Sequence, residues 1–145
     1  MRDVRTLPKA HLHVHLESTV RPGTVREWGG PPEPDGGFTT FRQFADQRAR
    51  VRELLTTADR FRRVAVEFCA DEAAQGTRYV EVTFTAASHG ERVGDPEMPL
   101  EAVLDGLAEG RPGTGSSAGC CSTTPGGGRW SGCGRRTSWP CATSG

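Results

Sequence analysis

Apolar and polar positions alternate with the period of a strand in two stretches of this chain, and elsewhere they recur with the period of a helix. From Ala10 to Leu16, the residues Leu12, Val14 and Leu16 alternate with His11, His13 and His15. This predicts a first strand with apolar side chains on a core face and three imidazoles on the other. Arg78-Tyr79-Val80-Glu81-Val82-Thr83-Phe84-Thr85 alternates in the same way and is rich in β-branched and aromatic residues, predicting a second strand. Between them, Phe41, Phe44, Val51, Leu54 and Leu55 fall near helical spacing and predict a helix over 39–55. Phe61, Val64, Ala65, Phe68 and Cys69 sit at i, i+3, i+4, i+7 and i+8 of another helix, capped by Thr57 and ended by Gly76. Cys69 reads as an inert core thiol. A last helix opens with Pro99 as its first residue and carries Leu100, Val103, Leu104, Leu107 and Ala108. A strand, helices and a strand in this order predict a parallel, right-handed βαβ crossover. Arg21 to Thr24 opens a short helical or turn segment toward Trp28. The Gly- and Pro-rich stretch from Gly29 to Gly37 reads as a loop, either a lid or a plain surface excursion. His89 reads as a solvated loop histidine without a role in a site, and Glu81 as a polar residue that either faces the interior or is purely structural.

Composition divides the chain in two. All 18 acidic residues lie between Asp3 and Glu109, and from Gly110 onward there is no Asp, Glu, Leu, Val, Ile, Met or Phe. Residues 1–110 therefore read as a globular α/β unit, and 111–145 as a Gly/Cys/Arg-rich tail that cannot bury a core and is expected to be disordered. The formal net charge is zero, which gives no reason to expect nucleic acid or an anionic membrane as a partner. No stretch approaches the roughly 18 apolar residues of a membrane span, and Met1 leads into the first strand with no apolar signal core. A cytoplasmic location is the default expectation.

The histidine-bearing strand carries the candidate chemistry. Neutral imidazole is the commonest metal ligand, and histidines at i and i+2 of one strand can reach a single ion. The stretch Pro8-Lys9-Ala10-His11-Leu12-His13-Val14-His15-Leu16-Glu17, followed by Ser18-Thr19-Val20-Arg21-Pro22, resembles the opening motif of the adenosine deaminase family, within the amidohydrolase superfamily. Tyr79-Val80-Glu81-Val82 with a following aromatic is also similar to the family's second barrel strand. The resemblance spans roughly residues 4–109. It implies a partial (β/α)8 TIM barrel limited to the first two strands and their helices, since a whole barrel takes about 250 residues and this chain has 145. It implies one Zn2+ held through His13 and His15, with no ligand role for His11. It also implies a purine contact by Glu17, and Phe41 and Phe44 at the mouth of the substrate pocket, with simple core packing the alternative for that aromatic pair. The implied reaction is hydrolysis of the 6-amino group of adenosine to inosine and ammonia, with a small-molecule purine nucleoside or base as the partner. Many family members that act on adenosine have Asp-Gly where this chain has Glu17-Ser18, so adenine or a modified nucleoside is the alternative substrate. The third histidine ligand, the catalytic glutamate, the further histidine and the aspartate pair of the family have no matching position here. No catalytic residue is assigned, and the chain is expected to be a truncated form, inactive alone. The non-enzymatic alternative is a small metal-binding or interaction domain using His11, His13 and His15.

The tail has a second explanation. Cys and Trp codons share a TG, so a frame starting one base earlier reads Leu, Val or Met wherever Cys120, Cys121, Trp130, Cys133, Trp139 and Cys141 stand. That frame also places three consecutive apolar residues, a short buried strand, at 120–122. One Lys against 17 Arg, with no Ile or Asn, fits the GC-rich codons this requires. Residues from about Gly113 onward thus read as out-of-frame translation of a longer deaminase gene, with a genuine disordered tail as the rival. The cysteine spacing lacks the C-x2–4-C pattern of a zinc module, a disulfide framework does not suit a cytoplasmic chain, and Gly126-Gly127-Gly128 lacks the residues of a phosphate loop.

Overall fold

A computed structural model describes residues 3, 4 and 7–110, together with the backbone of 119–123. The order of elements is β1 (Lys9–His15), a 3-10 turn (Leu16–Ser18), α1 (Pro22–Glu27), α2 (Phe41–Glu53), α3 (Ala58–Ala74), β2 (Thr77–Thr83), α4 (Ala86–Val93), α5 (Met98–Glu109) and β3 (Gly119–Thr123). The three strands form one parallel sheet in the order β1-β2-β3. The α/β layering and the parallel crossover follow the sequence pattern. The third strand does not: two strands were expected, and β3 pairs with β2 from Tyr79↔Gly119 to Thr83↔Thr123. A strand edge offers main-chain N–H and C=O groups to any extended backbone, so the pairing does not need apolar side chains. The rest of the segment expected to be disordered lies outside the described residues.

The helices start and stop for local reasons. Thr40 and Thr57 accept hydrogen bonds from the backbone N–H groups of Gln43 and Arg60, capping α2 and α3. Gly76 takes a left-handed φ of 75° and turns the chain from α3 into β2. α5 begins at Met98, so Pro99 is its second residue, where a missing N–H still costs nothing. α4 was not expected at all. Its sequence Ala86-Ala87-Ser88-His89-Gly90-Glu91-Arg92-Val93 is too short and too weakly apolar to stand out from a loop.

The core lies between the sheet and the helices. Val14, Leu16, Val80, Val82 and Phe84 from the strand segments meet Phe61, Val64, Ala65 and Phe68 of α3, and Ala102, Val103 and Leu107 of α5. α3 and α5 approach closely at Gly106, where any Cβ would run into the Arg62 carbonyl and the Ala65 methyl. Cys69 stays half-buried beside this contact, and burial pushes its thiol up to about 11, so it is a weak nucleophile at neutral pH.

The strand alternation read from residues 10–16 is broken in the middle. His11 pairs with Val80 but Val14 pairs with Val82, so β1 carries one more residue than β2 between those pairs. The extra residue is accommodated by a left-handed backbone at His13, with φ 57°. The bulge changes which side chains share a face. Leu12, expected in the core with Val14 and Leu16, is 58% exposed. His11 leaves the histidine row, and its Nδ1 pairs with Glu72 Oε1 of α3 at 2.9 Å.

The loop from Gly29 to Thr40 is tied down. Gln47 donates to the Pro31 and Pro32 carbonyls at 3.1 and 3.2 Å. Arg48 reaches Glu33 at 2.6 Å and the Ser18 carbonyl at 3.0 Å, linking α2 both to this loop and to the turn after β1.

Candidate functional site

The C-terminal ends of β1 and β2 lie side by side, with His15 paired to Thr83. At that end the bulge brings His13 and His15 together on the open side of the sheet. Their ring centroids are 5.1 Å apart with planes at 83°, and both residues are exposed. No hydrogen bond engages either ring among the described residues, so the ring nitrogens are available to an ion. A zinc site takes three or more ligands, and this pair offers two imidazoles. The described residues contain no group of three His, Cys, Asp or Glu side chains placed to hold a metal.

Two residues beyond His15, the chain turns inward and Glu17 is buried. Its Oε1 accepts three hydrogen bonds: from the Thr85 N–H at 3.0 Å, the Thr85 hydroxyl at 2.6 Å and His89 Nε2 at 3.3 Å. Burial alone would raise the carboxyl pKa. The hydrogen bonds from His89 and then Thr85 outweigh it and hold the group at about 2, so Glu17 is a carboxylate throughout the neutral range.

His89 is the largest departure from the sequence reading. Expected to be a solvated loop residue, it lies on α4 with its side chain fully buried. Phe84 stacks on it at 5.2 Å and Phe61 meets it edge-on at 5.0 Å. Arg92 Nη2 lies 3.2 Å from His89 Nδ1. A guanidinium can only donate, so Nδ1 accepts and Nε2 carries the hydrogen offered to Glu17. Arg92 also donates to the Leu55 carbonyl and, at 3.4 Å, to the Glu53 carbonyl, at the C-terminal end of α2. Ala86, His89 and Gly90 form the buried face of α4, a face too short and too weakly apolar to signal the histidine from the sequence. Thr85 and Arg92 gave no signal either.

Phe41 and Phe44 do not join the core. Phe41 is 82% exposed and Phe44 37%. They form an aromatic cluster with Phe38, at 6.0 Å for Phe41–Phe44 and 5.5 Å for Phe38–Phe44, with the Arg48 guanidinium over the Phe44 ring at 5.4 Å. Among the described residues, no hydrogen bond or ring contact joins this cluster to His13, His15 or Glu17. The site residues thus fall into three groups: the open histidine pair, the buried Glu17–Thr85–His89 knot, and the aromatic cluster at the start of α2.

The family model described as adenosine deaminase matches residues 35–125, more than half of the chain. The chain belongs to the adenosine deaminase family. The match begins downstream of His13 and His15 and runs through β3. Adenosine deaminase 1 of Streptomyces coelicolor is 37% identical over 124 residues, which cover 74% of this chain and 31% of that protein. The chain spans about a third of the length of the curated relatives it matches. Among solved structures, adenine deaminase from Arthrobacter aurescens superposes with a TM-score of 0.63 at 24% identity, over 79% of this chain and 39% of that one. A zinc-bound amidohydrolase from Burkhoderia ambifaria gives a TM-score of 0.59 at 24% identity, over 80% of this chain and 35% of that one. At these identities the structures establish the fold. It is the opening segment of the family's barrel, and the whole barrel is not present in the described residues. None of the helices among those residues is long and apolar enough to cross a membrane.

Proposed function

We propose that this segment supplies the metal-side part of a purine deaminase site, in which the 6-amino group of an adenine ring is hydrolysed to release ammonia. The single observation that carries the reading is the pair of unengaged imidazoles, His13 and His15, 5.1 Å apart at the C-terminal end of β1. That is the end of a parallel barrel strand where active sites form. The pair fits zinc in ligand type and spacing along the strand. A zinc ion there would supply an activated water, lowering its pKa to about 7. The chain's own contribution is positional. The bulge at His13 aims two rings at one place, and the Glu17 knot fixes the turn that follows. Glu17 is the proposed purine contact: its Oε1 is saturated by Thr85 and His89, so any further donor, from a sugar or a base, must meet its other oxygen. Phe41 and Phe44 are the proposed apolar rim, since their exposure leaves them free to cover a planar ring.

The relatives include proteins named for adenosine and for adenine. Adenosine is the substrate proposed first. Adenine or a modified nucleoside is the alternative, favoured by the longer acid Glu17 in place of aspartate. The test is a graft in which residues 8–17 of this chain replace their counterpart in the Streptomyces coelicolor enzyme. The chimera is expected to hold one zinc and release ammonia, and its ratio of activity on adenosine to activity on adenine ranks the two substrates. A folded chimera that holds no zinc would overturn the reading.

A further inference from the structure

Both nitrogens of His89 are committed, one to Glu17 and one to Arg92, and its side chain has no solvent exposure. It therefore cannot touch a substrate or ligate an ion in this conformation. Its partners nevertheless sit at the ends of three elements. Glu17 is in the turn immediately after β1, Thr85 follows β2, and the carbonyls that Arg92 grips, those of Glu53 and Leu55, close α2. Stacking on Phe84 and edge contact with Phe61 leave the ring no room to swing.

We infer that His89 is a positioning residue: acting through Glu17, it holds the end of β1, with His13 and His15, against the end of β2 and the C-terminus of α2. The geometry supports this in three ways. First, Glu17 is buried two residues from His15, so its placement sets where the strand can end. Second, among the described residues the imidazole supplies the one side-chain donor to Glu17 from outside Thr85, which lies two residues past the end of β2. Third, Arg92 forces the hydrogen of His89 onto Nε2, the nitrogen that faces Glu17, so the donor is always presented. A metal ligand on a strand end is only as well placed as the segment that follows it, and groups that orient ligands typically change metal affinity by 10–100-fold when lost. The consequence for metal rests on the reading of His13 and His15 as ligands; the consequence for the strand end does not.

The experiment is residue-resolved amide hydrogen exchange on the 145-residue chain, comparing the parent with H89L and H89Q. The Thr85 amide reports directly, because its acceptor is Glu17, and the Thr19 amide reports the turn through its bond to the Leu16 carbonyl at 3.0 Å. H89L is expected to speed exchange at both amides on the order of tenfold while α3 and α5 keep their protection. H89Q, whose amide can donate from about the same place as Nε2, is expected to restore the slow rates. If H89L does not fold, Thr85→Val removes the hydroxyl donor to the same carboxylate and is expected to raise exchange at Thr19. Unchanged rates at Thr19 and Thr85, or rates raised equally in α3 and α5, would overturn the inference. Zinc titration of the same samples is expected to show about tenfold weaker binding in H89L, recovered in H89Q. A parent chain that binds no zinc would sink the reading of a self-contained metal-binding domain, and the exchange comparison would still decide the role of His89.

Discussion

His15 ends β1 and His89 lies on α4, the helix after β2, in opposite surroundings. His15 is exposed and touches His13 edge-on, and no hydrogen bond engages its ring among the described residues. His89 is enclosed by two phenylalanines and bonded through both ring nitrogens. An imidazole serves as a metal ligand only with a free lone pair, and as a structural pin only with its nitrogens committed. Surroundings rather than residue type separate the two: one ring is open to a ligand and the other is committed to the fold.

Breaking the pinned side first gives the largest expected effect. Phe61→Ala removes the edge contact to His89 and to Phe84 from the centre of the core, and is expected to cost about 3–5 kcal/mol in urea unfolding. Acid should act on the same knot. Glu17 has a folded-state pKa near 2 against an ordinary value of 4.5, so its stabilisation is fully present above pH 5. It is lost as pH falls from about 5 to 2, on the order of 3 kcal/mol, and Glu17→Gln is expected to flatten that part of a stability-against-pH curve. Glu17→Leu leaves the Thr85 N–H and the His89 donor buried without an acceptor, and is expected to destabilise by about 1–3 kcal/mol at neutral pH.

The open side should respond in the reverse sense. His13→Ala and His15→Ala are expected to change stability by less than about 0.5 kcal/mol while weakening zinc binding. A glycine at the bulge carries the sharpest contrast. His13 has a left-handed φ of 57°, so His13→Gly relieves a strain of roughly 1 kcal/mol, raising the thermal midpoint slightly while removing a ligand. A site residue whose loss stabilises the chain is what a functionally placed bulge predicts.

Local pattern made most of the helices and both outer partners of the crossover legible before the structure. Thr57 to Gly76 reads off its apolar spacing and its caps, and β2 off its alternation. The bulge was hidden because strict alternation of His and Leu/Val is what an ordinary strand shows, and the extra residue becomes visible only against the register of β2. It moved His11 to Glu72 and Leu12 to the surface. The Glu17–His89 contact joins residues 72 apart in sequence, and no local spacing reports such a pairing. β3 was missed because backbone pairing leaves no trace in composition. It falls on the positions where a shifted reading frame would place a buried strand, and within the range matched by the family model.

Nitrogen-resolved NMR of the imidazole rings during a zinc titration tests the central distinction most directly, because each of the four histidines reports separately. The account predicts that His13 and His15 shift together at one zinc per chain, while His89 and His11 keep their resonances. A response at His89, or zinc binding that leaves His13 and His15 unmoved, would contradict it.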